Sequence, residues 1–173
     1  MAMLDESVHL EPHDPGWKQA FHFEQRRLSN VLGVPAERIE HFGSTAVPGL
    51  LAKPIVDIMI GVAEFPPPEV WSDRLFRLGY EGLGEAGVSG RLYFRKRVPV
   101  AFNVHVVENN GPLWLGNLAL RDYLSDTPAA AREYESAKRA TIAAGATTLL
   151  AYSEGKRRVV EELLRKALEA RAV

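Results

Sequence analysis

The run Ile55-Val56-Asp57-Ile58-Met59-Ile60-Gly61-Val62 constrains the fold more than any other stretch of the chain. It is apolar except at Asp57, the composition of a central strand covered on both faces. A carboxylate inside such a strand is costly unless it is paired, hydrogen-bonded or bound to a ligand, so the fold must supply Asp57 with a partner. An ion pair with Lys53 or an arginine is one solution, and a functional site is the other. The strand period of two places Asp57 beside Ile55 and Met59 on one face, with Val56, Ile58, Ile60 and Val62 on the other.

The segment before this run is organised to approach it. Glu37-Arg38-Ile39-Glu40-His41-Phe42 alternates polar and apolar residues as a half-buried strand does, and Gly43 breaks the alternation. Ser44 or Thr45 is suited to cap a short helical turn, where hydroxyls and free backbone N–H groups face an anion. Gly49 turns the chain back toward Lys53, Pro54 and the central strand. Gly43, Ser44, Thr45 and Lys53 are therefore candidate phosphate-binding residues.

The remainder supplies helices and a hairpin. Val8-His9-Leu10 reads as a short edge strand. Asp14-Pro15 opens a helix whose inner face carries Trp17, Phe21, Leu28, Val31 and Leu32, ended by Gly33 and Pro35. Pro66-Pro67-Pro68 starts a second helix carrying Val70, Trp71, Leu75 and Leu78. The glycine-rich segment 81–90 is expected to form a hairpin or a mobile, lid-like loop. Residues 91–97 and 100–107 read as an antiparallel pair in which Asn103 and His105 share a face. Where that face matches the one bearing Asp57, Asp57 and His105 become neighbours. Arg91, Tyr93, Arg95 and Arg97 also share a face; Arg91 is the candidate to meet a phosphate, and 95–97 fits a charged edge that discourages aggregation. Helices are expected from Pro112 to Leu124, from Thr127-Pro128 to near Gly145, and from a cap at Ser153 onward. Lys138 and Lys156 fit solvated helix faces.

With 173 residues and a net charge of −1, the chain is long enough for one domain with a sizeable core, and it lacks the broad basic surface that grips nucleic acid without sequence preference. It has no cysteine, which removes disulfides and thiolate metal sites. No membrane span or signal peptide is evident, so a cytoplasmic location is expected.

Arg38-Ile39-Glu40-His41-Phe42-Gly43-Ser44-Thr45-Ala46-Val47-Pro48-Gly49-Leu50 followed by Ala52-Lys53-Pro54-Ile55-Val56-Asp57 resembles the signature of the GrpB family, also known as UPF0157. That family is a branch of the polymerase-beta-like nucleotidyltransferase superfamily. The resemblance extends through Asp14-Pro15-Gly16-Trp17, Asn103-Val104-His105-Val106, Leu120-Arg121-Asp122-Tyr123-Leu124, the Tyr134 to Lys138 helix and Tyr152 to Lys156. It implies an α+β fold, with a nucleotidyltransferase-like mixed β-sheet flanked by helices and a helical C-terminal part, as a single domain over 1–173. It further implies a nucleotide or other phosphorylated small-molecule partner. In the superfamily, the Gly-Ser turn holds phosphates while two acids one residue apart and a third acid share two Mg²⁺ ions. Transferred to this sequence, Gly43, Ser44, Thr45, Lys53, Arg91 and Arg121 contact phosphate and Asp57 takes the first acidic position. His105 or Asp122 supplies a missing metal ligand or base.

The sequence departs from the superfamily at Met59, where the second acid belongs, and on the later strand, which offers Asn103 and His105. A thioether is a poor ligand for magnesium. Three functions follow: Mg²⁺-dependent nucleotidyl transfer, a non-catalytic nucleotide-binding or regulatory module, and a single-metal hydrolase using His41, Asp57 and His105. Ser44 lacks the Gly-x-Ser-x-Gly setting of a hydrolase nucleophile. Asp57→Asn is expected to leave thermal stability intact or raise it, as for a carboxylate held in place for function.

Overall fold

A computed structural model describes residues 5–172. Five strands form one mixed sheet: β1 (Ile39–Phe42), β2 (Val56–Val62), β3 (Glu81–Gly82), β4 (Arg91–Lys96) and β5 (Phe102–Glu108), in the order β1-β2-β5-β4-β3. The central pair β2 and β5 is parallel, and every other pair is antiparallel. Helix α1 (Gly16–Leu32) precedes β1, and α2 (Val70–Arg77) connects β2 to β3. The chain closes with α3 (Pro112–Asp126), α4 (Pro128–Ala143) and α5 (Leu149–Arg171). This is the expected α+β architecture with a helical C-terminal part.

The period of two sorts the sheet into two faces. Val56, Ile58 and Ile60 of β2 join Phe102, Val104 and Val106 of β5 and Ile39 of β1 in a core covered by Trp17, Phe21 and Leu28 of α1 and Leu75 of α2. The opposite face carries Phe42, Met59 and Val107 against Trp114 of α3. A third cluster seats Val47 and Leu50, from the segment between β1 and β2, among Leu124, Ala130, Tyr134 and Leu163 of α3, α4 and α5. The three C-terminal helices therefore close over the Gly43–Leu50 segment and roof the face that bears Asp57.

Several expectations change. Val8–Leu10 forms no strand; this region is tied down through single bridges from Ser7 to Thr148 and from Glu11 to Ala52. Thr148, whose hydroxyl accepts from the Ala151 N–H, caps α5, and Ser153 lies inside that helix. The 81–90 segment is a hairpin: β3 pairs with β4, and Arg91 donates to the carbonyls of Glu85 and Ala86. None of its residues lines the cleft between the sheet and the C-terminal helices. Position 96 is not an exposed edge charge. Lys96 is buried and donates at 2.5 Å to buried Glu24 of α1, which also accepts from Tyr80 Oη.

Candidate functional site

Phe42 pairs with Asp57 across β1 and β2, and Asp57 pairs with Asn103 across β2 and β5. Asp57 and His105 consequently share the face that the C-terminal helices roof. Between the sheet and those helices lies a cleft of about 210 Å³ whose polar walls include Ser44, Lys53, Asp57, Arg121 and Lys156. Among the described residues, Asp57 is its only acidic lining residue.

Gly43 makes the approach possible. Its φ of +71° is favourable for glycine alone, and a Cβ there would lie 2.8 Å from Asp57 Oδ2. The chain then enters a single 3₁₀ turn, Ser44–Ala46. Neither hydroxyl caps it. Thr45 Oγ1 instead pairs with His41 Nε2 at 2.9 Å, and Ser44 Oγ accepts from Lys138 Nζ at 2.6 Å. Among the described residues, the backbone N–H groups of Ser44 and Thr45 have no protein acceptor.

Asp57 Oδ1 accepts from Asn103 Nδ2 at 2.8 Å, and Asn103 is itself fixed by Tyr93 Oη and Arg97. His105 Nε2 lies 3.6 Å from the same oxygen, too long for a hydrogen bond but close enough for attraction. Arg91 lies 3.3 Å from His105 Nδ1. Arginine can only donate, so Nδ1 accepts and Nε2 carries the proton of the neutral ring. Burial also holds the His105 pKa below the usual range, against the pull of Asp57. Burial alone would raise Asp57, but His105, Lys53 and Asn103 outweigh it and bring its pKa down to about 2. Asp57 is thus an ionised carboxylate whose Oδ2 receives no protein hydrogen bond among the described residues.

Lys53 lines the cleft together with this carboxylate and has neither a hydrogen-bonding nor an ion-pairing partner for its ammonium among the described residues. Burial lowers its pKa, and Asp57 opposes the shift. Around Ser44 stand two further lysines and a tyrosine. Lys138 is fully buried, donates to Leu51 O at 2.6 Å and lies 4.3 Å from the Tyr134 ring centroid. Lys156 donates to Tyr134 Oη at 3.0 Å and stands over the Tyr152 ring. Burial lowers Lys138 to about 8. The same burial would raise Tyr134, yet Lys156 and Lys138 bring it down to about 8 as well.

A family model described as GrpB protein matches residues 7–166. The chain belongs to the GrpB family. It is 33% identical over 163 residues to the Glutamate-rich protein GrpB of Alkalihalophilus pseudofirmus, covering 91% of this chain and 94% of that one. It is 37% identical over 177 residues to the UPF0157 protein PA4798 of Pseudomonas aeruginosa, covering 96% and 70% respectively. The crystal structure of GrpB from Enterococcus faecalis matches with a TM-score of 0.84 and 31% identity, over 95% of this chain and all of that one, at 100%.

In this GrpB-family chain the structure brings Gly43, Ser44, Thr45, Lys53, Asp57, His105 and Arg121 to one cleft. Arg121 arrives with its guanidinium occupied, donating to Glu40 at 2.7 Å, Asp122 at 2.8 Å and His41 O at 2.9 Å. Two other candidates do not themselves line the cleft. Arg91 holds the 81–90 hairpin from behind His105, and Asp122 bridges the lining residue Arg121 to Arg171. The His41, Asp57 and His105 metal triad does not assemble, because His41 points to the α1 face and stacks on Phe21 at 4.9 Å. Among the described residues no three His, Cys, Asp or Glu side chains are placed to hold a metal. Lys138 and Lys156 overturn the solvated-face reading. Their signal was a repeated Tyr-x-x-x-Lys, Tyr134/Lys138 and Tyr152/Lys156, which sets each aromatic ring beside a lysine one helical turn on.

His41 gives a pH test of this arrangement. Burial lowers its pKa from 6.5 to about 4, and Asp57 only partly offsets the shift. The unfolded chain therefore binds this proton more readily between those values, and folding stability falls as pH drops through the window, by up to roughly 3 kcal/mol. Urea unfolding across that range should show a shallower pH slope in His41→Gln than in the parent. Equal slopes would mean that the ring is not buried in its neutral form.

Proposed function

We propose that the cleft binds the phosphate end of a nucleotide or other phosphorylated small molecule. The observation that carries this reading is the charge balance. Lys53 and Lys156 line the cleft and Lys138 stands behind Ser44, while the lining contributes one carboxylate. Buried cations without matching anions are unfavourable, and a phosphate supplies the missing charge. Lys53 and the free N–H groups beside Ser44 are the first contacts for its oxygens. The cleft volume of about 210 Å³ is below the range of sites that engulf drug-sized ligands, so the phosphate is enclosed and the rest of the ligand lies at the mouth.

Magnesium fits this reading in one mode. Mg²⁺ is commonly held by one or two carboxylates together with substrate phosphates, and Asp57 Oδ2 is the carboxylate oxygen left open for it. The ion would neutralise charge on a di- or triphosphate. His105 supports the carboxylate, with Nδ1 accepting from Arg91 and the protonated Nε2 3.6 Å from Asp57 Oδ1. A two-metal nucleotidyl transfer is not part of this proposal, because Met59 is buried at the second acidic position and Asn103 lies opposite Asp57.

Lys53→Ala tests the phosphate contact. Isothermal titration should show ATP affinity falling roughly 10- to 100-fold, the worth of a charge-assisted hydrogen bond, with adenosine affinity nearly unchanged. Equal losses for the two ligands would contradict a phosphate role for Lys53.

A further inference from the structure

Lys138 raises a question that phosphate binding alone does not answer. It is 0% exposed, contacts no carboxylate, and makes its two hydrogen bonds to Leu51 O and Ser44 Oγ. Burial makes a charged ammonium costly there, and the Tyr134 ring 4.3 Å away offsets only part of that cost. As an ammonium Lys138 donates to both oxygens; in its neutral fraction one N–H still goes to Leu51 O while the nitrogen lone pair takes the Ser44 hydroxyl hydrogen, reversing the direction of that bond. That is the arrangement of a serine nucleophile with a lysine base. It replaces the Gly-x-Ser-x-Gly setting whose absence argued against Ser44 in the sequence. Ser44 also lines the cleft, as does Lys53, and the backbone N–H groups of Ser44 and Thr45 have no protein acceptor among the described residues.

We infer that Ser44 is a nucleophile that takes the phosphoryl group of the bound ligand onto its hydroxyl, with Lys138 receiving the hydroxyl proton. The inference rests on the phosphate-binding reading of the same cleft. The Ser44 Oγ–phosphorus bond forms as the bond from phosphorus to the leaving oxygen breaks. The hydroxyl proton passes to Lys138 Nζ, and the bonding pair departs on the leaving oxygen. That oxygen takes a proton from the Tyr134 hydroxyl, and the resulting phenolate is held by Lys156. The new phosphoserine places a dianion beside Lys138, now an ammonium with the counter-ion it lacked. Water then cleaves the phosphorus–Oγ bond: its hydroxyl stays with phosphate, its other proton returns to Tyr134, and Lys138 reprotonates Ser44. The lowered pKa values of Lys138 and Tyr134, each about 8, suit groups that exchange protons near neutrality.

The test incubates the full chain with ATP and Mg²⁺ and, separately, with para-nitrophenyl phosphate, followed by acid quench and peptide mass mapping. Thermal shift with both probes is measured alongside. The expected result is the mass gain of one phosphoryl group on the peptide carrying Ser44, absent in Ser44→Ala and forming roughly 10²-fold more slowly in Lys138→Gln. The wild-type mapping holds whether or not the lysine variant folds. Binding of either probe without a Ser44 adduct overturns the nucleophile and leaves the phosphate reading standing. Failure of both probes to bind overturns the two together. Phosphorylation that persists elsewhere in Ser44→Ala, at an unchanged rate, also overturns the assignment.

Discussion

Lys96→Met should destabilise the protein by about 3–5 kcal/mol, a fall of roughly 10 °C in Tm for a chain of this size. The reason is the partner left behind. Glu24 is 1% exposed and accepts from Lys96 at 2.5 Å, Tyr80 Oη at 2.8 Å and Arg27 at 3.1 Å. Removing the lysine strands a carboxylate between α1 and the sheet, and the half-exposed Arg27 compensates only weakly. The aromatic contacts of Lys96 with Tyr80 and Phe102 are lost with it. The double variant Glu24→Leu/Lys96→Met removes both charges and should recover most of the loss, because a buried ion pair has little net worth against apolar residues of similar volume. Urea unfolding of the two variants decides the matter. A single-variant loss below about 1 kcal/mol, or no recovery in the double variant, would show that the pair is not buried as described.

Asp57→Asn should separate two roles of one carboxylate. At neutral pH it should lower stability by at most roughly 2 kcal/mol, since the folded state holds the pKa down to about 2 against 3.8 in the unfolded chain. The sign is that of a depressed acid: the contribution is complete above the unfolded value and disappears as pH falls through the folded one. The gap between parent and variant should therefore close near pH 2. This reverses the expectation from sequence, which took Asp57 for a residue held at the expense of stability. The structure surrounds it with Asn103, His105 and Lys53, and these partners make it favourable. In binding, the variant should lose the Mg²⁺-dependent part of ATP affinity. It should also hold metal-free phosphate several-fold more tightly, because the only carboxylate facing the anion is gone. Unchanged Mg²⁺ dependence in Asp57→Asn would remove this residue from the metal reading.

What was legible in the sequence followed from short-range rules. The period of two put Asp57 and His105 on matching faces, and the parallel register of β2 with β5 realised that match. The break at Gly43 marked the close approach to Asp57, which only a residue without a Cβ permits. The apolar stripe of α1 was equally plain, but not Glu24 within it, because an acid at one helical position does not reveal that Lys96 will arrive from a strand 72 residues later. The lysines were misread for a related reason. On helices α4 and α5, Lys138 and Lys156 look like ordinary solvent-facing residues until the C-terminal helices fold over the Ser44 turn and bury that side. Likewise, Arg91 has the right chemistry for a phosphate contact and Asp122 for a metal ligand or base, yet hairpin carbonyls claim the first and Arg121 and Arg171 claim the second. Local patterning fixes which face a side chain takes; long-range closure decides whether that face meets solvent, core or cleft.

The central claim is that an anion belongs in the corner between Ser44, Lys53 and Lys156, opposite Asp57. A crystal structure of the protein grown with ATP and Mg²⁺ tests it most directly. The account predicts a phosphate with oxygens in hydrogen-bond reach of Lys53 Nζ and the Ser44 backbone N–H, and the metal on Asp57 Oδ2. Phosphates bound outside the cleft, or a cleft holding only water with Lys53 turned onto Asp57, would contradict it.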